Sequence, residues 1–221
     1  MSFPLSDPIF IVIEGLDGAG TTTQSRRVAE VLRQKGQPVS LSQEPSDGPI
    51  GVLIRQMLSM RVTIPDADGE HQPVGRETLA LLFAADRLDH LDADVNPALA
   101  RGDIAISDRY YHSSLAYQGD VDGEDSVDYG WVQEINGRAR IPDLTVFLEA
   151  PVDLCLARLA DRGRRDIYES RQKLERLQQR YEEVMALLDE RGERILRLDA
   201  AQSKKALTDR IIVEVETLAG S

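Results

Sequence analysis

Positive charge is in short supply in this chain, and lysine most of all. Among 221 residues, 26 Lys and Arg face 38 Asp and Glu, giving a formal net charge of −12. A surface of that sign repels a phosphate backbone, and no Lys/Arg block offsets it on the scale of a duplex, so nucleic acid is not expected as a partner. Lysine occurs only at Lys35, Lys173, Lys204 and Lys205, which leaves arginine to build bidentate clamps for small anions. A single cysteine, Cys155, rules out an internal disulfide; between Leu154 and Leu156 it reads as a small buried hydrophobe. His71, His90 and His112 lack ligand spacing, so no zinc site is expected. No run approaches the ~18 apolar residues of a spanning helix. The opening residues, 1–8, carry neither a basic nor an apolar signal region. A soluble, cytoplasmic protein without a membrane partner is expected. No repeat and no linker-like stretch interrupts the chain, and its 42% apolar content can bury one sizeable core, so a single domain over 1–221 is expected.

What the chain does contain is an apolar, β-branched run, Ile9 to Ile13, that ends in a glycine-rich turn and leads into a helix. Against the template G-x-x-x-x-G-K-[ST], Gly15 and Gly20 fall on the two glycines and Thr22 on the hydroxyl residue, while Thr21 stands at the lysine position. Gly15, Gly18 and Gly20 permit positive φ and close backbone approach, so that successive N–H groups and the N-terminus of the next helix point at a polyphosphate. Thr22 has the hydroxyl that meets Mg²⁺ in such loops. The missing part is the point charge that bridges the β- and γ-phosphates. A glycine-rich turn that binds nothing is the competing reading of the loop alone.

Further along, apolar spacing predicts helices over 22–35, 51–60, 77–94, 127–136, 154–159, 173–188 and 206–218, with strands at 38–41, 104–107, 144–148 and 194–198. Pro151 marks a helix start. Residues 63–74 and the acidic 119–126 read as loops. On the helix over 77–94, Leu81, Leu82, Ala85, Leu88 and Leu91 supply the apolar positions. Phe83 and Arg87, four residues apart, share another face. They either line a pocket together or are, respectively, core and solvated surface; the residues leave both readings open. Asp108 and Arg109 follow the second buried strand, at the carboxyl end where open α/β sheets bind ligands. The cluster Arg162, Gly163, Arg164, Arg165 lies on an otherwise acidic chain and reads either as a solvated, arginine-rich turn or, because like charges side by side are costly unless an anion joins them, as a phosphate site, the reading favoured here. Strands alternating with helices, the first closed by a phosphate loop, specify an α/β three-layer P-loop NTPase fold with a parallel sheet flanked by helices.

Taken together, Phe10 to Gln24, Glu44-Pro45, Gly51 to Arg55, Leu81 to Arg87, Ser107 to Gly119, Pro142-Asp143-Leu144 and Arg162-Gly163 with Tyr168-Glu169 resemble the thymidylate kinases, nearly end to end. The resemblance implies γ-phosphoryl transfer from ATP to dTMP with Mg²⁺, in a homodimer. It implies ATP contacts at Gly15, Gly18, Ala19, Gly20, Thr21, Thr22, Thr23 and Arg162, with Thr22 and Asp108 next to Mg²⁺. On the acceptor side it implies Asp17 at the 3′-hydroxyl, Phe83 stacked on thymine, Arg87 at its O4, and Arg55 and Arg109 clamping the dTMP phosphate. It further implies Glu44, Ser114 and Gln118 in the acceptor pocket and Tyr117 crowding C2′. Gly18 after Asp17 puts no basic side chain in the loop, which is similar to the bacterial type, whose catalytic arginine comes from a lid; here that lid spans about 160–171, with Arg164 and Arg165 as its catalytic candidates. Three departures each remove positive charge: Thr21 at the lysine position, Gln43 before Glu44-Pro45, and Ile167 after Asp166. An active dTMP kinase is therefore the leading expectation. A degenerate nucleotide-binding homologue, and a kinase for another deoxynucleotide or nucleoside, are the alternatives.

Overall fold

The computed structural model of the chain describes residues 8–118, 128–161 and 171–219. β1, Phe10–Gly15, is buried along its whole length, as its continuous β-branched run requires of a strand covered on both faces. α1, Thr21–Gln34, follows the glycine turn and stops where Gly36, at φ 83°, lets the Gln37 and Gly36 amides cap the carbonyls of Leu32 and Arg33. β2, Val39–Gln43, leads through a cis Glu44–Pro45 peptide to α2, Pro49–Leu58, which begins with proline in its first turn. Within 63–74, expected as loop, β3 (Ile64–Pro65) and β4 (His71–Gln72) pair in a short antiparallel hairpin. The helix expected over 77–94 runs as α3, Arg76–His90, then a π-helical turn, Leu91–Val95, then α4, Asn96–Ala100.

β5, Ile104–Asp108, is followed by α5, Tyr111–Tyr117, which the periodicity did not predict because its buried side has His112 and Ser114 among the apolar residues. α6, Tyr129–Ile135, is capped by the Asp128 carboxylate on the Trp131 amide, 2.7 Å. The remaining elements are β6 (Leu144–Glu149), α7 (Val152–Asp161), α8 (Arg171–Glu190), β7 (Ile195–Asp199) and α9 (Lys204–Ala219). The main sheet has the order β2-β5-β1-β6-β7 with every pairing parallel. Residues alternate along β1: Ile11 and Ile13 pack with Val28, Leu177 and Ile211 on one face, and Phe10 and Val12 with Leu91, Leu99 and Val132 on the other. Those are the two outer helical layers. Cys155 is fully buried in the first of these cores.

One expectation is inverted. Leu81 and Leu88, counted as an apolar face of α3, are 50% and 40% exposed, while Asp86, Arg87 and His90 of the same helix are buried. A buried carboxylate, guanidinium and imidazole are tolerable only with partners, and those come from the loop after β2 and, for Arg87, also from Ser114 and Asn136.

Candidate active site

Register brings the carboxyl ends of three strands together: Ile13 lies opposite Asp108, and Gln43 opposite Asp108 on its other side. The connection from β1 runs through α1 to β2 on one side, while the connection from β5 passes β1 to reach β6 on the other, so a crevice opens at the carboxyl ends of β1 and β5. A cleft of about 250 Å³ occupies it, lined by Asp17, Gly18, Gly20, Thr21, Thr22, Gln43, Glu44, Pro45, Arg55, Asp108, Arg109 and Leu159. A second cavity, about 320 Å³, runs along the outer edge of β2 and shares Gln43 with the cleft; it has no glycine loop.

The phosphate loop needs its glycines for space as well as for φ. A Cβ at Gly15 (φ 155°) would stand 2.9 Å from the Leu148 carbonyl oxygen, and one at Gly18 (φ 89°) 2.7 Å from that of Cys155. Gly20, at φ 107°, is the N-cap of α1 with no side-chain cap, and the first turn of α1 holds no acidic residue. The positive end of a 14-residue helix therefore faces the cleft. Thr22 Oγ1 donates to Asp108 Oδ2 at 2.5 Å, while Asp108 Oδ1 is buried without a hydrogen-bond partner among the described residues. An orphaned carboxylate oxygen beside a hydroxyl suits a hydrated divalent ion held mainly by water and phosphate oxygens. No group of three or more His, Cys, Asp or Glu able to hold a metal occurs among the described residues.

Opposite the loop, Arg109 sits at φ 75°, a left-handed conformation that costs a non-glycine residue energy. Ser107 Oγ donates to its carbonyl at 2.7 Å and its own amide donates to Ile13 O. The guanidinium donates to Asp17 Oδ1 at 2.5 Å, to Ser113 Oγ and to the Tyr181 hydroxyl, and lies 5.7 Å from the centre of the Tyr117 ring. Burial works against its charge, but Asp17, followed by Tyr117, Tyr181 and Glu14, outweighs burial and holds its pKa well above the ordinary value. Beneath it Glu14, fully buried, accepts from the Tyr110 and Ser113 amides, Ser113 Oγ and the Tyr181 hydroxyl. Burial, then Glu14, pushes the Tyr181 phenol up, keeping it a neutral donor.

A second network surrounds Arg87. Arg87 is fully buried, donating from Nε (3.0 Å) and Nη2 (2.7 Å) to Glu44, from Nη2 to Ser114 and from Nη1 to Asn136. His90 Nδ1 meets the other oxygen of Glu44. Asp86 accepts from the Ser46 amide and hydroxyl at 2.7 and 2.6 Å, and Arg55 donates to the Pro45 and Ser46 carbonyls at 2.7 Å each. The buried polar face of α3 thus clamps the loop after β2.

Of the residues singled out in the sequence, Asp17, Gly18, Gly20, Thr21, Thr22, Glu44, Arg55, Asp108 and Arg109 meet in one cleft. Gly15, Ala19 and Thr23 flank it in the chain. Arg87 and Ser114 touch Glu44 or one another behind it, and Tyr117 touches Arg109. Phe83 is half-buried on α3, one turn before Arg87, outside the lining of the cleft. Gln118 follows α5 with its Oε1 buried and without a partner among the described residues. Arg162, Arg164 and Arg165 lie outside the described residues, as does the acidic loop 119–126. Sequence reasoning passed over Glu14, Ser46, Asp86, Asn136, Ser113 and Tyr181. A carboxylate ending a fully apolar strand was the available signal for Glu14, since such a group must find donors.

A parallel sheet of this order, a glycine loop running into a helix at its switch point and a hydroxyl–carboxylate pair beside it define a protein of the P-loop NTPase fold. The family profile described as thymidylate kinase matches residues 13–211. "Probable thymidylate kinase" of Thermococcus kodakarensis is 35% identical over 212 residues, covering 96% of this chain and 99% of the relative. That of Thermococcus onnurineus is 37% identical over 208 residues, covering 94% and 97%, and that of Pyrococcus horikoshii 41% over 154 residues, covering 70% and 71%. The chain belongs to the thymidylate kinase family.

Proposed function

We propose that the chain transfers the γ-phosphoryl group of ATP to dTMP, yielding dTDP and ADP, as one kinase domain over 1–221 with a lid at about 160–171. The observation that carries this reading is the cleft that an uncapped helix N-terminus and the Thr22–Asp108 pair share with Arg109 and Arg55. Phosphoryl transfer asks for two anionic substrates held in line with their charge offset, and little covalent chemistry. The amides of Gly15, Gly18, Ala19, Gly20, Thr21, Thr22 and Thr23 hold the donor phosphates. Arg109 and Arg55 hold the dTMP phosphate, one of whose oxygens attacks the γ-phosphorus as the bond to the β–γ bridging oxygen breaks. Thr22 and Asp108 would hold Mg²⁺, which supplies charge neutralisation between donor oxygens. Asp17 holds the sugar 3′-hydroxyl while orienting Arg109. Phe83, Glu44, Arg87, Ser114 and Gln118 form the base side, with Tyr117 against C2′. Arg162, Arg164 and Arg165 close over ATP.

Two further assignments belong to this reading. A homodimer through the helices of one face of the sheet is part of this reading, on the family resemblance, and exposed Leu81 and Leu88 on α3 and Val52 on α2 are apolar side chains such an interface would cover; a monomer mass at micromolar concentration refutes it. Among the described residues no helix is long and apolar enough to cross a membrane, and we assign the protein to the cytoplasm, where its nucleotides are. The test of the function is ADP release from ATP with and without dTMP. Release that depends on dTMP supports the kinase. ATP binding without release favours the non-catalytic homologue, for which Thr21 at the lysine position is the motivating observation, and release that needs another nucleotide changes the acceptor.

A further inference from the structure

We propose that Arg158 is a positioning residue for the phosphate loop, replacing part of what the absent lysine does by holding the loop carbonyls so that the Gly20 amide faces the donor phosphates; this rests on the phosphoryl-transfer reading above. Arg158 lies on α7, and its Nη1 donates to the carbonyls of both Gly18 (3.2 Å) and Ala19 (2.8 Å). Nη2 donates to the carbonyl of Ala200, 3.0 Å away, just past β7. Ala200 is itself tied to the sheet by its amide, which donates to Glu149 O at 2.8 Å. The guanidinium is therefore held between the loop and a fixed part of the sheet.

The geometry of the peptide unit turns this contact into a functional one. In a planar trans peptide the C=O and the following N–H point in opposite directions. Pinning the Ala19 carbonyl on the Arg158 side therefore turns the Gly20 amide to the other side, where Gly20, Thr21 and Thr22 line the cleft. The same grip on Gly18 O sets the next peptide plane back, consistent with the Ala19 amide turning inward to Leu16 O at 2.9 Å. Charge adds to orientation. Nη1 stands 3.9 Å from where a Gly20 Cβ would be, so a permanent cation lies directly behind the loop and polarises the amides whose carbonyls it binds. Thr21, nearly buried at the lysine position, contributes no charge there. Its Nη1 and Nη2 meet loop and sheet carbonyls and Arg158 is not among the residues that line the cleft, so it acts through the loop rather than on phosphate.

The test compares wild type with Arg158→Met, which keeps an unbranched apolar stem but drops charge and donors, and with Arg158→Lys, using calorimetric binding of ATP, adenosine and dTMP, steady-state rates and thermal melting. Loss of a charge-assisted hydrogen bond predicts ATP binding weaker by at least ~10-fold in the Met variant, adenosine and dTMP binding within about twofold of wild type, and partial recovery in the Lys variant. ATP affinity and turnover both within about twofold of wild type in the Met variant overturn the proposal. Equal weakening toward ATP and dTMP with a lowered melting temperature overturns it too, since that is general loss of packing. If the Met variant does not fold, Arg158→Gln, which removes the charge and is too short to reach Ala19 O but leaves a polar amide, carries the same comparison. Wild-type protein that releases no ADP with dTMP refutes the phosphoryl-transfer reading instead, and the ATP affinities of the variants still decide the role of Arg158.

Discussion

Replacing Asp108 by asparagine separates chemistry from stability with effects of opposite sign. Asp108 is 7% exposed, with one carboxylate oxygen on the Thr22 hydroxyl at 2.5 Å and the other unpaired among the described residues. Burying an unpaired acceptor costs ~1–3 kcal/mol, and more when the group is charged. In Asp108→Asn the amide oxygen still accepts from Thr22 and the amide nitrogen takes the orphan's place, so a neutral unpaired group replaces a charged one. Stability is then unchanged or higher by up to ~2 kcal/mol. Turnover moves the other way. A carboxylate that helps hold Mg²⁺ supports charge stabilisation worth several kcal/mol, and each ~1.4 kcal/mol is tenfold, so kcat falls by ~10²–10³. Urea denaturation without nucleotide reads the first effect, and initial rates over a range of Mg²⁺ concentrations read the second, with the variant needing more Mg²⁺ to saturate. A variant that keeps kcat within about threefold while losing more than ~2 kcal/mol of stability refutes the argument, because Asp108 would then be a structural acceptor for Thr22.

Arg87→Met leaves the Glu44 carboxylate, whose side chain is 3% exposed, without its guanidinium, and stability is expected to fall by ~3–5 kcal/mol in urea titrations; a loss under ~1 kcal/mol means that Glu44 is satisfied by other groups. Of Arg164→Ala and Arg165→Ala, at least one should lower kcat by ~10² or more with little change in the KM for dTMP, the pattern of a contact made mainly in the transition state. Silence of both variants in steady-state assays rejects a lid arginine as the missing cation.

Local order in the chain was enough for the elements whose cause is local. The β-branched run before Gly15 could only be a covered strand, the spacing of Gly15, Gly20 and Thr22 specified a loop and helix start, and the apolar spacing of 173–188 specified most of α8. The placement of Asp108 and Arg109 at a strand end beside the glycine loop was legible for the same reason. Tertiary structure decided the rest wherever a residue's environment is supplied from far along the chain. α3 buries Asp86, Arg87 and His90 and exposes Leu81 and Leu88, against its own hydrophobic pattern, because Glu44 and Ser46 provide charge and donors that periodicity cannot register. α5 is helical with a buried histidine because Glu193 and Thr145 meet His112. Glu14 depends on Tyr181, 167 positions away, and Arg158 reaches Gly18 across 140. Hydrogen-bond satisfaction at such separations exists only once the sheet has set which strand ends are neighbours, so composition and periodicity determined the frame while packing determined which polar groups the frame makes functional.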